Sequence, residues 1–436
     1  MNSIKIGLLG FGTIGTGVIR VLQKNADLLQ QRLGTTLELA KIIDLDITTD
    51  RGVKVDTALL STDVEEIISN PEIDIVIELI GGYEPAKSFI LKAIANGKHV
   101  VTANKALMAL HGQEILAAAE KQGVDVMFEA AVGGGIPVIS AIKENLCANN
   151  FSNVLGILNG TCNYILTEMT ENGSDFAPVL QSAQELGYAE ADPSFDIEGI
   201  DTAHKIALLA ALCFGTKVDF DNVYTEGITK VAAIDIQFAT QMGYKIKLLA
   251  IGKNLGDQIE VRVHPTMIPA SYQLAEVDGV FNAIRLSGDF LGPALLYGSG
   301  AGMDATASAV MGDVMSIGRD MLAGAKRRTP IMGYCAEQIV ELPIKPMSEI
   351  VSHYYLRFTT VDKPGVLAQI SSILGKYDIS IQSMIQPERH EADAVPIVIM
   401  THDAKEANIN QALAEIDQLE IVQQPTRLIR VENNLG

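Results

Sequence analysis

The chain has 436 residues, 48% hydrophobic and 20% charged, which fits two or three globular domains that each bury a core. A formal net charge of −20 argues against nucleic acid or an anionic membrane surface as partner, and no uncharged apolar run reaches bilayer-spanning length. The four cysteines, Cys147, Cys162, Cys213 and Cys335, show neither CxxC nor metal-ligand spacing, which fits a reducing cytoplasm and speaks against a zinc site.

The chain opens on a short apolar strand at 3–9, with no charged leader or cleavage site. Gly10-Phe11-Gly12-Thr13-Ile14-Gly15 follows at once, and helical spacing covers 16–23. Between a strand and a helix, this GxGxxG run reads as a dinucleotide-binding turn. The first glycine allows the tight turn, the second lets backbone approach a pyrophosphate, and the third packs helix on strand. The helix N-terminus then offers N–H groups and a positive dipole end to the phosphates. A second strand at 37–43 ends in Asp44, which suits a ribose 2′-hydroxyl and repels a 2′-phosphate. Asp46 adds to that bias, while Arg51 and Lys41 are the nearby cations able to oppose it, so the reading leans to NAD over NADP. A strand at 73–80, a helix at 85–96 and a strand at 99–102 complete an alternating pattern. The expected fold for residues 1–149 is a doubly wound α/β domain with a parallel sheet.

Three segments after that sheet carry polar chemistry. Lys105 follows the strand at 99–102, at the carboxyl end where ligands of open α/β sheets sit, and can hold a carboxylate or the cofactor. In Phe128-Glu129-Ala-Ala-Val132-Gly-Gly134-Gly-Ile136 an apolar strand is expected to run into glycines, which places exposed carbonyls beside the hard oxygen of Glu129 and suits either a cation or a plain glycine turn. Asn159-Gly-Thr-Cys162-Asn163 is a polar turn leading into a helix. Cys162 has no histidine near it in sequence and reads as a structural thiol. Further on, a carboxylate-rich loop with Glu190 and Asp196 precedes Asp201 and Lys205, spaced i and i+4 on one helix face. Because 206–214 is almost wholly apolar, that amine sits at the mouth of a buried helix and can donate a proton. His204 faces another side and reads as a helix filler.

Residues 150–330 mix helices (177–186, 203–214, 234–244) with strands (248–252, 259–265), an α+β substrate and dimerisation domain. A helix at 308–321 is expected to pack back on the first domain. A proline-bearing linker occupies 331–352. From 353 to 436 the pattern is β-α-β-β-α-β.

The strings GFGTIG, TANK (102–105), EAAVGGGIP (129–137), NGTCNYI (159–165), LGYAEADPSFDIEGIDTAHK (186–205) and YGSGAGMDAT (297–306) occur in this order. Together they resemble the homoserine dehydrogenase family over roughly the first three quarters of the chain. DKPGVLAQISSIL at 362–374 is similar to the start of an ACT domain. The resemblance implies NAD(P)-dependent interconversion of L-homoserine and L-aspartate 4-semialdehyde, in threonine and methionine synthesis. It makes Lys205 the proton donor and acceptor, with Lys105 at the substrate or nicotinamide end and a second acid–base role open to it. Asp201 and Glu190 would hold the homoserine ammonium, with Asp196 and Tyr188 in the same wall. Gly10, Phe11, Gly12, Thr13, Ile14, Gly15, Asp44, Lys105, Gly187, Glu190 and Gly302 would line the cofactor. Glu129 with the carbonyls of Val132, Gly134 and Ile136 is similar to the family's sodium site. The terminal domain implies an amino-acid effector, L-threonine by pathway logic, at the loop 362–365, and a homo-oligomer, dimer or tetramer.

Two other classes share parts of this pattern. A non-catalytic amino-acid sensor would keep the terminal domain and lose the chemistry, against which Lys105, Glu190, Asp201 and Lys205 stand together. An acylating semialdehyde dehydrogenase would need an activated cysteine, which Cys162 does not supply.

Overall fold

A computed structural model describes residues 3–325, 328–386 and 394–433. The stretch 387–393 and the last three residues of the expected terminal domain lie outside the described residues. Six strands, β1 (Ser3–Leu9), β2 (Thr36–Ile43), β3 (Leu60–Ser61), β4 (Ile75–Glu78), β5 (His99–Thr102) and β6 (Val126–Met127), form one sheet ordered β3-β2-β1-β4-β5-β6. Every neighbouring pair is parallel, so each needs a crossover. The helices α1 (Thr13–Lys24) and α2 (Ala26–Leu33), then α3 (Glu65–Ile68), α4 (Ala86–Ala95) and α5 (Lys105–Gln122), supply most of them. Both faces of the sheet are covered: Ile4, Ile6, Leu8 and Ile75 join one core, Leu9, Val76 and Val100 another. That explains apolar runs without alternation. The strand order turns back at β1, which opens a crevice at the carboxyl ends of β1 and β4.

Two local outcomes differ from the sequence expectation. Helix α1 starts at Thr13, because Gly12 already stands at its N-cap. The strand expected to run from Phe128 into the glycines stops at Met127, and Glu129–Ala131 is a tight 3-10 turn. The Glu129 amide donates to Asp313 Oδ2 at 2.9 Å. Its carboxylate accepts from the amides of Ile139 (2.8 Å) and Ser140 (2.7 Å) in the short helix α6 (Val138–Ser140). Side-chain partners on both sides thus replace a strand ladder.

The second sheet runs β12 (Gly292–Ser299), β11 (Phe281–Gly288), β7 (Phe151–Ile157), β9 (Tyr244–Asn254) and β10 (Ile259–Pro269), with the two-residue β8 (Tyr224–Thr225) on the far edge of β10. Helices α7 (Gly160–Asn172), α10 (Ile200–Phe214) and α11 (Ala233–Gln241) pack on it, with α8 (Phe176–Glu185) and α9 (Ser194–Ile197) outside them. Helix α12 (Met303–Leu322) packs on α1 of the first domain. The close approach requires Gly17 of α1: a Cβ there would lie 2.9 Å from Ala307 Cβ and Met303 O.

The terminal domain has the expected order: β13 (Val351–Val361), α13 (Val366–Lys376), β14 (Ile381–Ile385), β15 (Ala394–Thr401), the two-residue β16 (Ala404–Lys405), α14 (Glu406–Ile416) and β17 (Val422–Val431). Its strands are not a separate layer. β17 pairs parallel with β10 at Thr266↔Arg430 and Met267↔Val431, so one sheet runs through both domains. Among the described residues, no helix is long and apolar enough to cross a membrane.

Candidate active site

Helix α10 is buried along almost its whole length, and its first two turns carry Asp201 (2% exposed) and Lys205 (7%). Lys205 Nζ donates to Asp201 Oδ2 and to the Leu158 carbonyl, both at 2.7 Å. On the opposite side, Lys105 begins α5 just past β5 and brings its Nζ to 2.8 Å from Asp201 Oδ1. That contact is an ion pair without hydrogen-bond alignment, so the buried Oδ1 has no directed donor. One carboxylate therefore stands between two lysines at the mouth of the crevice.

The charges set each other's protonation. Burial pushes Asp201 upward, but Lys205 and Lys105 outweigh it and hold the carboxyl well below its usual range. For Lys205, burial lowers the pKa, Asp201 pulls it back up, and Lys105 lowers it again; the net direction is down. An amine so placed is more often neutral at a given pH than a surface lysine, as a proton acceptor must be.

Asn159 ties the cluster together, and sequence reasoning missed it. Its Nδ2 donates to Asp196 Oδ1 (2.7 Å) and Asp201 Oδ2 (2.8 Å), while its Oδ1 caps α7 by accepting from the Cys162 amide (2.8 Å). The signal was the N-cap residue type before a helix, which says nothing of distant carboxylates. Glu78 was missed as well. Fully buried, it accepts from Thr102 Oγ1 (2.7 Å) and the Ile80 amide (2.8 Å), while Asn104 donates to the Gly82 carbonyl (2.7 Å). These bonds fix the loops after β4 and β5, and with them Lys105.

The other expected residues divide. Asp196 is in the cluster, accepting also from Thr161 Oγ1 at 3.2 Å. Tyr188 is exposed against Tyr164, and its carbonyl accepts from Thr161 of the cluster. Gly187 and Glu190 lie on an exposed loop, and among the described residues no hydrogen bond or ion pair links the Glu190 carboxylate to the lysines. Cys162 is a structural thiol: burial, then Asp196 and Asp201, push it well above its usual range. His204 lies between Phe195 and Phe220, its pKa lowered by burial to about 4, as a neutral ring filling space.

The crevice fits a dinucleotide. Gly10 has φ +99°, and a Cβ on Gly15 would lie 2.2 Å from the Gly10 carbonyl, so both glycines are required by the turn. A Cβ on Gly12 would meet nothing within 4 Å; its open face at the N-terminus of α1 is where a phosphate can approach. Thr13 and Ile14 supply the first amides of that helix. Gly302, with φ +110°, caps α12 beside it, where Arg20 and Asp304 pair at 3.1 Å. Asp44 accepts from the amides of Phe11 and, at 2.9 Å, Asp46. Arg51 lies 3.9 Å from Asp44 and 5.4 Å above the Phe11 ring, so a cation occupies the same corner.

At the glycine loop, the Ile136 carbonyl accepts from Val138 at 2.8 Å, whereas those of Val132 and Gly134 have no backbone donor among the described residues. Gly134 admits no side chain, since its Cβ would lie 2.5 Å from the Gly300 carbonyl. Hard carbonyl donors suit a sodium ion. No cluster of three acidic, histidine or cysteine ligands exists among the described residues, so a transition-metal site is not what this loop offers.

Comparison with known proteins gives the family. Residues 137–315 match the family model described as homoserine dehydrogenase, residues 10–129 its NAD binding domain, and residues 354–421 the ACT domain. The chain is 47% identical to a homoserine dehydrogenase of Pseudomonas aeruginosa, with 99% of each covered, and 38% identical to that of Bacillus subtilis, with 100% of this chain and 99% of the relative covered. A solved homoserine dehydrogenase from Thiobacillus denitrificans superposes with a TM-score of 0.92 at 46% identity, covering 99% of this chain and 98% of that one. The family models and the full-length likeness to these homoserine dehydrogenases show that the chain belongs to the homoserine dehydrogenase family of oxidoreductases.

Proposed function

We propose that the protein interconverts L-homoserine and L-aspartate 4-semialdehyde, with Lys205 as the group that takes and returns the hydroxyl proton. The observation that carries this reading is the single Asp201 carboxylate held between Lys105 and Lys205. A zwitterion placed between Lys105 and Asp201 keeps every charge paired: the ammonium takes the undirected Oδ1, and the α-carboxylate takes Lys105. The terminal hydroxyl then meets Lys205. Neutral Lys205 accepts its proton, and Asp201 and the Leu158 carbonyl stabilise the ammonium so formed. The bound nicotinamide supplies the hydride acceptor. Glu190 adds a second carboxylate for the substrate ammonium as its loop settles on the ligand, with Asp196 and Tyr188 shaping the wall.

Asp44 favours NAD in this reading, and Arg51 is the residue able to admit a 2′-phosphate. A sodium ion held by Glu129 and the carbonyls of Val132, Gly134 and Ile136 would fix the glycine loop against the 297–302 turn. The place in threonine and methionine synthesis, the cytoplasmic setting, a homo-oligomer and feedback by L-threonine belong to the same proposal; the ACT domain supports an amino-acid effector. The test is initial-rate reduction of NAD and NADP with L-homoserine, beside Lys205→Ala. Activity that falls by about 100-fold or more in the variant supports the assignment. Equal rates in the two proteins overturn it, and the NAD-to-NADP ratio decides the role of Asp44.

A further inference from the structure

Lys105 is the more exposed of the two site lysines: 33% of its side chain is open to solvent, against 9% for Lys205. Its flexible stem lets the amine swing into solvent unless contacts hold it. Among the described residues, two charge-directed contacts do so. One is the ion pair to Asp201 Oδ1, which lacks hydrogen-bond alignment and so sets a distance more than a direction. The other is the ring of Phe195. Lys105 Nζ stands over it at 5.6 Å from the centroid, within reach of the attraction between an aromatic face and an ammonium.

These two contacts differ once a substrate arrives. In the binding mode proposed above, the homoserine ammonium takes Asp201 Oδ1 and the α-carboxylate takes Lys105. The substrate therefore competes for the carboxylate that holds the amine in the free enzyme. It does not compete for the face of Phe195, which can hold Lys105 both before and after binding.

Phe195 is itself firmly seated. It lies on the short helix α9, where the Ser194 amide and hydroxyl donate to Asp192 Oδ1 at 3.1 and 2.6 Å. Just beyond it, Asp196 accepts from Asn159 at 2.7 Å and the Ile197 carbonyl accepts from the Ile228 amide at 2.8 Å. Behind the ring stands His204, with centroids 5.5 Å apart, and behind His204 stands Phe220 at 4.1 Å. His204 is 1% exposed, and neither ring nitrogen has a hydrogen-bond partner among the described residues, so it packs as a flat ring. It belongs to α10, between Asp201 and Lys205. The seat of Lys105 is thus built on the helix that carries its ion-pair partner. An exposed phenylalanine is ordinary by itself; one backed by two stacked rings and placed over an active-site amine is not.

We propose that Phe195 is a positioning residue for substrate binding: its ring face, backed by His204 and Phe220, keeps the Lys105 ammonium turned towards the α-carboxylate of the substrate. This rests on the reading of Lys105 as the carboxylate anchor. The experiment compares Phe195→Leu, Phe195→Tyr, Lys105→Met and the double variant Phe195→Leu/Lys105→Met with the unaltered protein. Calorimetry gives the affinity for L-homoserine even where turnover is slow, initial rates give KM and kcat, and thermal unfolding checks the fold. Leucine keeps apolar bulk without the aromatic face, whereas tyrosine keeps the face. Phe195→Leu should weaken homoserine binding and raise KM about threefold, with kcat and melting temperature little altered, and Phe195→Tyr should restore both. With Lys105 replaced by Met, the leucine substitution should have no further effect on affinity. A packing role costs the same in both backgrounds, so equal losses with and without Lys105 overturn the inference. So does undiminished affinity in Phe195→Leu, or a tyrosine variant as weak as the leucine one. In each of these cases, weaker binding by Lys105→Met leaves the anchor reading standing. Normal affinity in Lys105→Met sinks that reading and this inference together.

Discussion

Lys205 can act as a base only while it is neutral, and three neighbours decide the pH at which that holds. Burial and the charge of Lys105 lower its pKa, while Asp201 raises it. Replacing Lys105 by Met removes a repelling charge, so the Lys205 pKa rises and less of the amine is neutral at a given pH. The pH at which kcat/KM for homoserine oxidation climbs should therefore move upward, by roughly one unit, together with a higher KM from the lost carboxylate anchor. A profile that stays in place, or moves down, would show that the two amines are not coupled. At this scale the sequence was informative for groups whose chemistry is local. Asp201 and Lys205 announce themselves by an i,i+4 spacing ahead of an apolar run. Asn159 and Glu78 do not, because an amide in a polar turn and a carboxylate ending an apolar strand have no local pattern to mark partners 42 and 24 residues away.

Elements built on regular periodicity were legible almost throughout: the parallel sheet, α10, α12 and the β-α-β-β-α-β order follow from apolar spacing. The 128–132 segment was not, since a strand and a tight turn share the same apolar composition and the choice between them lies with distant partners of Glu129, namely Asp313, Ile139 and Ser140. The glycine turn tests what such spacing means physically. Gly15→Ala would drive a methyl group to 2.2 Å from the Gly10 carbonyl, so the turn must distort and the fold should lose a few kcal/mol, about 1–3. Gly12→Ala adds its methyl to open space at φ −72°, an ordinary value for alanine. That variant should melt at the temperature of the unaltered protein and yet raise the KM for the dinucleotide at least about tenfold, the equivalent of 1.4 kcal/mol. Thermal unfolding and cofactor titration separate the two outcomes, and a Gly12→Ala enzyme with normal cofactor affinity would remove the pyrophosphate from that face.

The whole molecule is less divided than its sequence suggests. Linker prolines and a self-contained αβ pattern mark the terminal domain as an appendage, and its own core of Tyr354, Leu356, Phe358, Ile370 and Ile409 supports that view. Nothing local shows that β17 joins β10, since the pairing spans 164 residues and involves only two registered pairs. Nor does it show that Arg357 reaches out of the domain, because an arginine on an alternating strand reads as a solvated charge. In the fold its guanidinium and Tyr355 both hold Asp235 of α11, which is 1% exposed. Removing one partner of a buried pair leaves the other charge without compensation, at a cost of about 3–5 kcal/mol. Arg357→Met should therefore lower the melting temperature clearly. Adding Asp235→Asn removes the stranded charge and keeps a hydrogen-bond partner for Tyr355, so the double variant should recover most of the loss. Calorimetric unfolding of the three variants decides the matter: if Arg357→Met alone melts like the unaltered protein, the pair does not hold the terminal domain in place, and the continuous sheet carries that task by itself.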